Sequence, residues 1–411
     1  MLKYAVTRRI QSTLIIRGGK RTPALPTALA VIMCLGGLAS TASAQWTVTD
    51  LHPAGSGSSQ AAAAGGAQQS GFALVGIAQH AAVWNATAGS FIDLNPADST
   101  RSQAFGAGGG QQVGFANVGG VNRASAWTGS AGSWIDLSPA GARSSTALAT
   151  NGAQQVGSAS IGGIQRAGLW SGNAASFVDL NPAGSSESRA FGISGGQQAG
   201  WAVVEGVQSA SLWSSSAASW INLNPATASQ SQALAINNGQ QAGWATIGGV
   251  QHASVWSGTA GSWVDMHPAG SIQSLALATD GGLQAGWSFN GSVTRASFWS
   301  GTAGSWVDLS AFLPAGFSDS FAYGMSRDAS HIYIAGFGSN TVTLQTEALV
   351  WTLCRADFDG DGTVDFFDYD AFVNCFEGIA CPPARTADFD ADGSVDFFDY
   401  DAFVLAYEAG C

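Results

Sequence analysis

The chain has 411 residues, of which 10% are charged and 46% hydrophobic, and it carries 55 glycines and 15 tryptophans. So little charge beside so much apolar side chain excludes a disordered polyampholyte, and many turn residues with many large aromatic anchors point to a β-rich protein. A net charge of −12 excludes nucleic-acid binding through phosphate contacts, which needs basic patches.

The N-terminus reads as a leader. Residues 1–22 hold Lys3, Arg8, Arg9, Arg17, Lys20 and Arg21 and no acid, an apolar stretch runs from Ala24 to Ala39, and Ala42-Ser43-Ala44 precedes Gln45. A basic segment, an apolar segment and a small-x-small site predict a secretory signal peptide over residues 1–44. The apolar stretch is shorter than a membrane span and is interrupted by Gly36 and Gly37. The expectation is an exported protein, extracellular or at the cell surface, with no membrane span after cleavage.

A repeat follows over residues 45–353. Trp84, Trp127, Trp170, Trp213, Trp256 and Trp299 are spaced 43 residues apart, as are Gln69, Gln112, Gln155, Gln198, Gln241 and Gln284. Asp93, Asp136, Asp179, Asn222, Asp265 and Asp308 share the same interval. Each unit splits into four short runs between Gly, Asn, Ser or Pro-Ala punctuation, which is the size and pattern of a propeller blade. The segment Trp46–Leu51 matches only the fourth run of a unit, whereas the last unit, Ser318–Leu353, lacks its fourth. Sharing these pieces predicts a mainly β, seven-bladed β-propeller closed by the N-terminal strand; an open β-solenoid would instead carry atypical capping units. The tryptophans are expected to fill gaps between blades and the glutamines to bond turn backbone. His80-Ala81-Ala82-Val83-Trp84 and His252-Ala253-Ser254-Val255-Trp256 resemble the bacterial extracellular HAF-type repeats, with Arg123, Arg166, Ser209 or Arg295 replacing the histidine elsewhere. That resemblance implies a secreted repeat domain and little more about its task.

The segment 354–411 differs in kind: it holds fourteen acids and two arginines. Asp357, Asp359, Asp361, Thr363, Asp365 and Asp368 stand at positions 1, 3, 5, 7, 9 and 12 of an EF-type loop, with Gly362 at the sharp turn. Asp388, Asp390, Asp392, Ser394, Asp396 and Asp399 repeat the pattern 31 residues later around Gly393. Calcium takes six to eight oxygens, and this spacing turns successive carboxylates inward, so two Ca2+ ions are expected. The threonine and serine would contribute backbone carbonyls and the ninth-position aspartates a bridging water. One amphipathic helix is predicted after each loop, with Phe366, Tyr369, Val373 and Phe376, and then Phe397, Tyr400, Val404 and Tyr407, as its apolar stripe.

Loop-then-helix, twice, with aspartate closing each loop, resembles the type I dockerin module. The resemblance implies calcium-dependent folding, pseudo-twofold symmetry and a cohesin-like exported partner. It departs from the family at Phe366-Phe367 and Phe397-Phe398, where small hydroxyl residues usually make partner contacts. Packing of these phenylalanines in the module's own core is one reading. Cys354, Cys375, Cys381 and Cys411 allow three connectivities; the favoured pairs are Cys354–Cys411, joining the module's ends, and Cys375–Cys381, closing the inter-helix loop.

The near-uniform units show no clustered carboxylates and no nucleophile motif, so no catalytic or organic-cofactor residues are assigned. Acids outside the Asp-Leu turns fall at unrelated repeat positions. The functional expectation is a secreted, non-catalytic propeller, binding or surface-structural, attached to an extracellular assembly through the calcium-dependent tail. The alternative is a carbohydrate-active enzyme, a polysaccharide hydrolase; Trp201, Trp244 and Trp287 share one repeat position and would give it a glycan-stacking face, although inter-blade packing is the favoured reading of them.

Overall fold

The computed structural model describes residues 46–382, 385–390 and 393–411, so the proposed leader and Asp392 lie outside the described residues. Seven four-stranded antiparallel sheets form the blades of a propeller. Six blades follow one another in the chain, each running from an inner strand to a two-residue outer strand, as from Ser59–Gly65 to Ile92–Asp93 in the first. The seventh takes Phe317–Arg327, His331–Asn340 and Gln345–Cys354 from the end of the repeat region and Thr47–Asp50 from its start. Thr47 pairs with Thr352 and Asp50 with Leu349, so the first strand closes the ring. Closure removes the open sheet edge that an array of this kind would otherwise expose.

Local sequence explains the hairpins. Gly119 and Gly120 link the second and third strands of blade two with φ of 63° and 79°, the two-residue geometry that follows strand twist and that side-chain-bearing residues rarely adopt. Glycine also acts within the sheets. A Cβ on Gly71 would sit 1.9 Å from the Gln60 carbonyl oxygen, and one on Gly114 1.8 Å from that of Gln103. These glycines let the inner strand press against the second at a register shift, a bulge, that recurs in every blade.

The core lies between blades. Ala81, Val83 and Leu94 of blade one pack against Ala104, Ala116 and Trp127 of blade two, and the other junctions repeat the arrangement. Small alanines bring the sheets close, while Trp84, Trp127, Trp170, Trp213, Trp256, Trp299 and Trp351 fill the remaining space at no more than 1% exposure. The seventh blade meets the first through Val350, Ala348 and Leu51 against Ala61, Ala73 and Trp84.

Polar groups are equally regular. A buried serine of each inner strand accepts a hydrogen bond from a third-strand amide of the preceding blade. The amides of Ala81, Ala124, Ala167, Ala210, Ala253 and Ala296 donate to Ser102, Ser145, Ser188, Ser231, Ser274 and Ser320, and that of Ala348 donates to Ser59 across the closure, all at 2.8–3.0 Å. The repeated glutamines accept from the turn after the third strand, as Gln112 does from Gly129 at 2.8 Å and Gln241 from Gly258 at 2.9 Å. They are fully buried, so they are turn clamps and not a ligand ring.

Two helices, α1 (Phe366–Phe376) and α2 (Phe397–Ala409), follow the propeller and pack with it in one compact unit. Tyr369, Phe376, Tyr400, Val404 and Tyr407 of the predicted stripe pack against the core, but Phe366 and Phe397 at its start do not. Phe372 and Phe403 stack at 4.0 Å and anchor the core with Phe358 and Phe389, while Phe366, Phe367, Phe397 and Phe398 are 64–69% exposed. The reason is the capping geometry: Asp365 and Asp396 fix where each helix starts, which turns the first two phenylalanines outward. Disulfides join Cys354 to Cys411 and Cys375 to Cys381, with Cα–Cα distances of 5.8 and 4.3 Å.

In five blades a third-strand base faces the outer-strand acid: His80–Asp93, Arg123–Asp136, Arg166–Asp179, His252–Asp265 and Arg295–Asp308, at 2.7–2.8 Å. In blade four both partners are neutral, Ser209 with Asn222. In the closing blade the matching residues are Glu347 and Asp50, both acids. Burial first, then the charge of Glu347, holds the Asp50 carboxyl above its usual 3.8, against an opposing hydrogen bond from the His52 amide. A carboxyl raised in the folded chain resists ionisation there, so stability falls as pH rises through the carboxylate range. Asp50→Asn is expected to melt higher than wild type at pH 7, by no more than about 4 °C. The difference should fade below about pH 3.5, where both forms are neutral; thermal melts across pH read it directly.

Candidate metal loops and axial channel

The acidic loops hold their carboxylates by local backbone bonds. Asp368 closes the first loop by accepting from the Asp359 amide at 3.0 Å and the Asp365 amide at 2.8 Å. Asp357 accepts from the Gly362 amide at 3.2 Å through Oδ2, while its buried Oδ1 has no hydrogen-bond partner. Gly362 takes φ of 92° at the turn. Oxygens of Asp357, Asp359 and Asp361 lie within 4.8 Å of one another, and so do those of Asp388, Asp390 and Asp399 in the second loop.

Not every expected ligand joins these groups. Thr363 instead donates from its amide and hydroxyl to the Asp361 carboxylate, at 2.8 and 2.7 Å. Asp365 and Asp396 turn one carboxylate oxygen to the Phe367 and Phe398 amides, each at 2.8 Å, as helix caps. Ser394 keeps the seventh place of the second loop. Burial first, then the nearby charges of Asp359 and Asp357, raise the Asp368 carboxyl to about 6 against two opposing backbone bonds. An orphaned buried carboxylate oxygen among crowded acids, with an all-oxygen donor set, fits a hard divalent cation.

Two arginines tie these loops to the propeller, and a third braces the first loop from within the tail. Arg327 of the closing blade pairs with Asp280 and donates to the Asp390 carbonyl at 2.9 Å. Arg355 lies 4.0 Å over the Phe389 ring and donates to the Asp328 carbonyl at 2.7 Å and to that of Phe389. Arg385 donates to the Asp357 carbonyl, behind the first loop, and burial pulls its guanidinium down to about 10.

The second site is on the ring axis. A cavity of about 430 Å³ is lined by residues from all seven inner strands. The bulges supply its wall: Ala62, then Phe105, Leu148, Phe191, Leu234, Leu277 and Tyr323, one from each blade. Each inner strand is paired on one side only, which leaves its other edge toward the axis. Arg189 is the one charged residue among the lining residues described. Sequence reading missed this ring, because the bulge breaks the two-residue alternation on which side-chain direction is inferred.

Two other arrangements are structural. His52 lies 2.8 Å from Ser59 and His267 2.7 Å from Ser274, each at hydrogen-bond distance of the kind a nucleophile and base require. Both serines are fully buried and belong to the inter-blade series, and Asn95, Asn181 and Asn224 fill the histidine's place elsewhere. Trp201 and Trp244 are only 7% and 5% exposed, so they pack between blades and offer no open stacking face.

Among the described residues, no helix is long and apolar enough to cross a membrane. No protein-family model matches the chain, and no curated protein matches it. Solved structures do. A puromycin hydrolase S511A mutant complexed with PGG matches with a TM-score of 0.51 at 12% identity, covering 71% of this chain and 53% of that one. A Mycobacterium tuberculosis puromycin-hydrolyzing peptidase matches at 0.46 with 14% identity and the same coverage. Pyrococcus horikoshii acylaminoacyl peptidase matches at 0.47 with 8% identity, over 74% of this chain and 53% of that one. The chain thus spans about half the length of these structures. The likeness in fold to puromycin hydrolase corrects the expectation of a non-catalytic, binding or surface-structural propeller attached to an assembly. That expectation rested on the uniformity of the repeat, which reports the demands of inter-blade packing and leaves the channel wall free to vary. The fold is that of a seven-bladed β-propeller, to which a solved structure of puromycin hydrolase is similar.

Proposed function

We propose that this chain is a peptide-handling propeller of the peptidase type, with a C-terminal segment that binds two Ca2+ ions. The observation that carries the first part is the axial channel. Seven half-paired inner edges offer backbone donors and acceptors, and the bulged side chains offer an apolar ring. An extended peptide has both complements, main-chain amides for strand edges and side chains for apolar pockets. The propeller's share of a peptidase reaction is to admit the chain and orient it. The likeness to puromycin hydrolase supports this reading at the level of fold.

Ala62 is the small member of the ring and leaves it open on the side of blade one. Ala62→Phe closes that gap with a residue the ring already tolerates at Phe105 and Phe191. A pooled library of N-acetylated apolar tripeptides should bind wild type, and Ala62→Phe should weaken the binding at least about tenfold, with an unchanged melting temperature. Equal binding by both proteins would contradict the channel reading.

For the tail, Asp357, Asp359, Asp361 and Asp368 would hold one ion and Asp388, Asp390, Asp392 and Asp399 the other, in a dockerin-like loop–helix pair. Bound calcium would neutralise and cross-link the carboxylates of each loop. Asp365 and Asp396 act as helix caps that set the direction of α1 and α2 from the loops. The basic and apolar leader and the two disulfides support an exported protein. Calorimetric titration should find two Ca2+ per chain. Asp357→Ala and Asp388→Ala should each lose one ion, and chelator should lower the melting temperature of the wild type. Melts indifferent to chelator, or full stoichiometry in both variants, would contradict the assignment.

A further inference from the structure

We infer that Arg189 is the anchor of the channel and that it takes the free C-terminal carboxylate of a bound peptide, an inference that rests on the peptide reading above. Arg189 lies on the inner strand Ser185–Ser194 and lines the cavity two residues before the bulged Phe191. Its position in the other blades is held by neutral residues, Gln60, Gln103, Thr146, Gln232, Leu275 and Phe321, each fixed by the same pairing to the second strand. The repeat therefore breaks its own pattern once, and it does so by placing a charge in an apolar wall.

That charge is not compensated within the protein. The guanidinium carbon sits 5.0 Å over the Phe191 ring, and its Nε is buried with no hydrogen-bond partner. Among the described residues Arg189 forms no ion pair. The third-strand arginines Arg123, Arg166 and Arg295, by contrast, each face an aspartate. A part-buried guanidinium stacked on one face, with its fork unused, is arranged for a planar anion, and carboxylate matches the fork with two parallel hydrogen bonds. Leu148, Ile193 and Leu234 line the same cavity and favour an apolar residue beside that carboxylate.

The test compares three probes on wild type and Arg189→Met: an N-acetylated apolar tripeptide with a free C-terminus, its C-terminal amide, and hexanoate. Replacing an uncompensated charge by an apolar side chain of similar length should leave the melting temperature equal or higher, so the variant remains folded. The free-acid peptide is expected to bind wild type, and both amidation and Arg189→Met should weaken it at least about tenfold. If acid and amide bind wild type equally, or the variant binds the acid as wild type does, the anchor is overturned while the peptide reading stands. If only hexanoate binds, and loses affinity in the variant, Arg189 remains a carboxylate anchor and the peptide reading falls. If none of the three binds, both fall.

Discussion

The hydrogen bond from a third-strand amide to a buried serine of the next blade is the contact on which the rest of the propeller depends. Sheets rich in alanine and glycine have little side-chain bulk with which to hold a spacing, and apolar contact alone is non-directional. The serine hydroxyl supplies direction: it fixes how far one blade slides along the next and satisfies an amide that the short outer strand leaves unpaired. With the spacing fixed, one tryptophan per junction fills what the alanines leave. The Ala348–Ser59 bond extends the series across the closure, so the seventh junction is built like the other six although its strands come from opposite ends of the repeat region.

Given that frame, variation between blades is compensated in pairs. Where the outer corner holds Trp134, Trp220, Trp263 or Trp306, the third strand provides Ser125, Ser211, Ser254 or Ser297 to accept the indole N–H at 2.8–2.9 Å. Where the corner is Phe91 or Phe177, the partner shrinks to Ala82 or Gly168, and a Cβ on Gly168 would lie 2.2 Å from the Phe177 ring. The base–acid pairs behave alike, since blade four loses both charges together at Ser209 and Asn222. Two positions depart from this pairing: Glu347 faces the acid Asp50 in place of a base, and Arg189 lines the channel without an ion pair among the described residues. The first is a local cost at the closure; the second is the feature that gives the ring a direction and a polarity.

Much of this was legible in the chain. The 43-residue spacing of tryptophan and glutamine marks positions that every blade needs, and a lone fourth strand at one end with its absence at the other announces closure. The loop spacing of the tail placed Asp357, Asp359 and Asp361 together for the same reason, because five-residue geometry around a glycine leaves few alternatives. What could not be read is what departs from simple periods. Bulges shift side-chain direction by one residue, so the channel ring looked like ordinary alternation. The tail helices carry aromatics on several faces, and only the aspartate caps decide that Phe372 and Phe403, rather than Phe366 and Phe397, enter the core. Arg189 was hidden among tolerated substitutions, since its meaning lies in the partner it lacks.

The tail joins this frame through cations. Arg327, Arg355 and Arg385 reach carbonyls at the rear of both loops, so the acidic segment is seated by backbone contacts while its carboxylates remain directed to one another. The ring itself is the deeper claim, and native-state hydrogen exchange reads it without any variant. If the serine bonds make one continuous circle, the amides of Ala81, Ala124, Ala167, Ala210, Ala253, Ala296 and Ala348 should exchange together, at the slow rate of global unfolding. Exchange of the Ala348 amide well ahead of the other six, with its neighbours at the closure following it, would show that the circle opens there and would contradict the account.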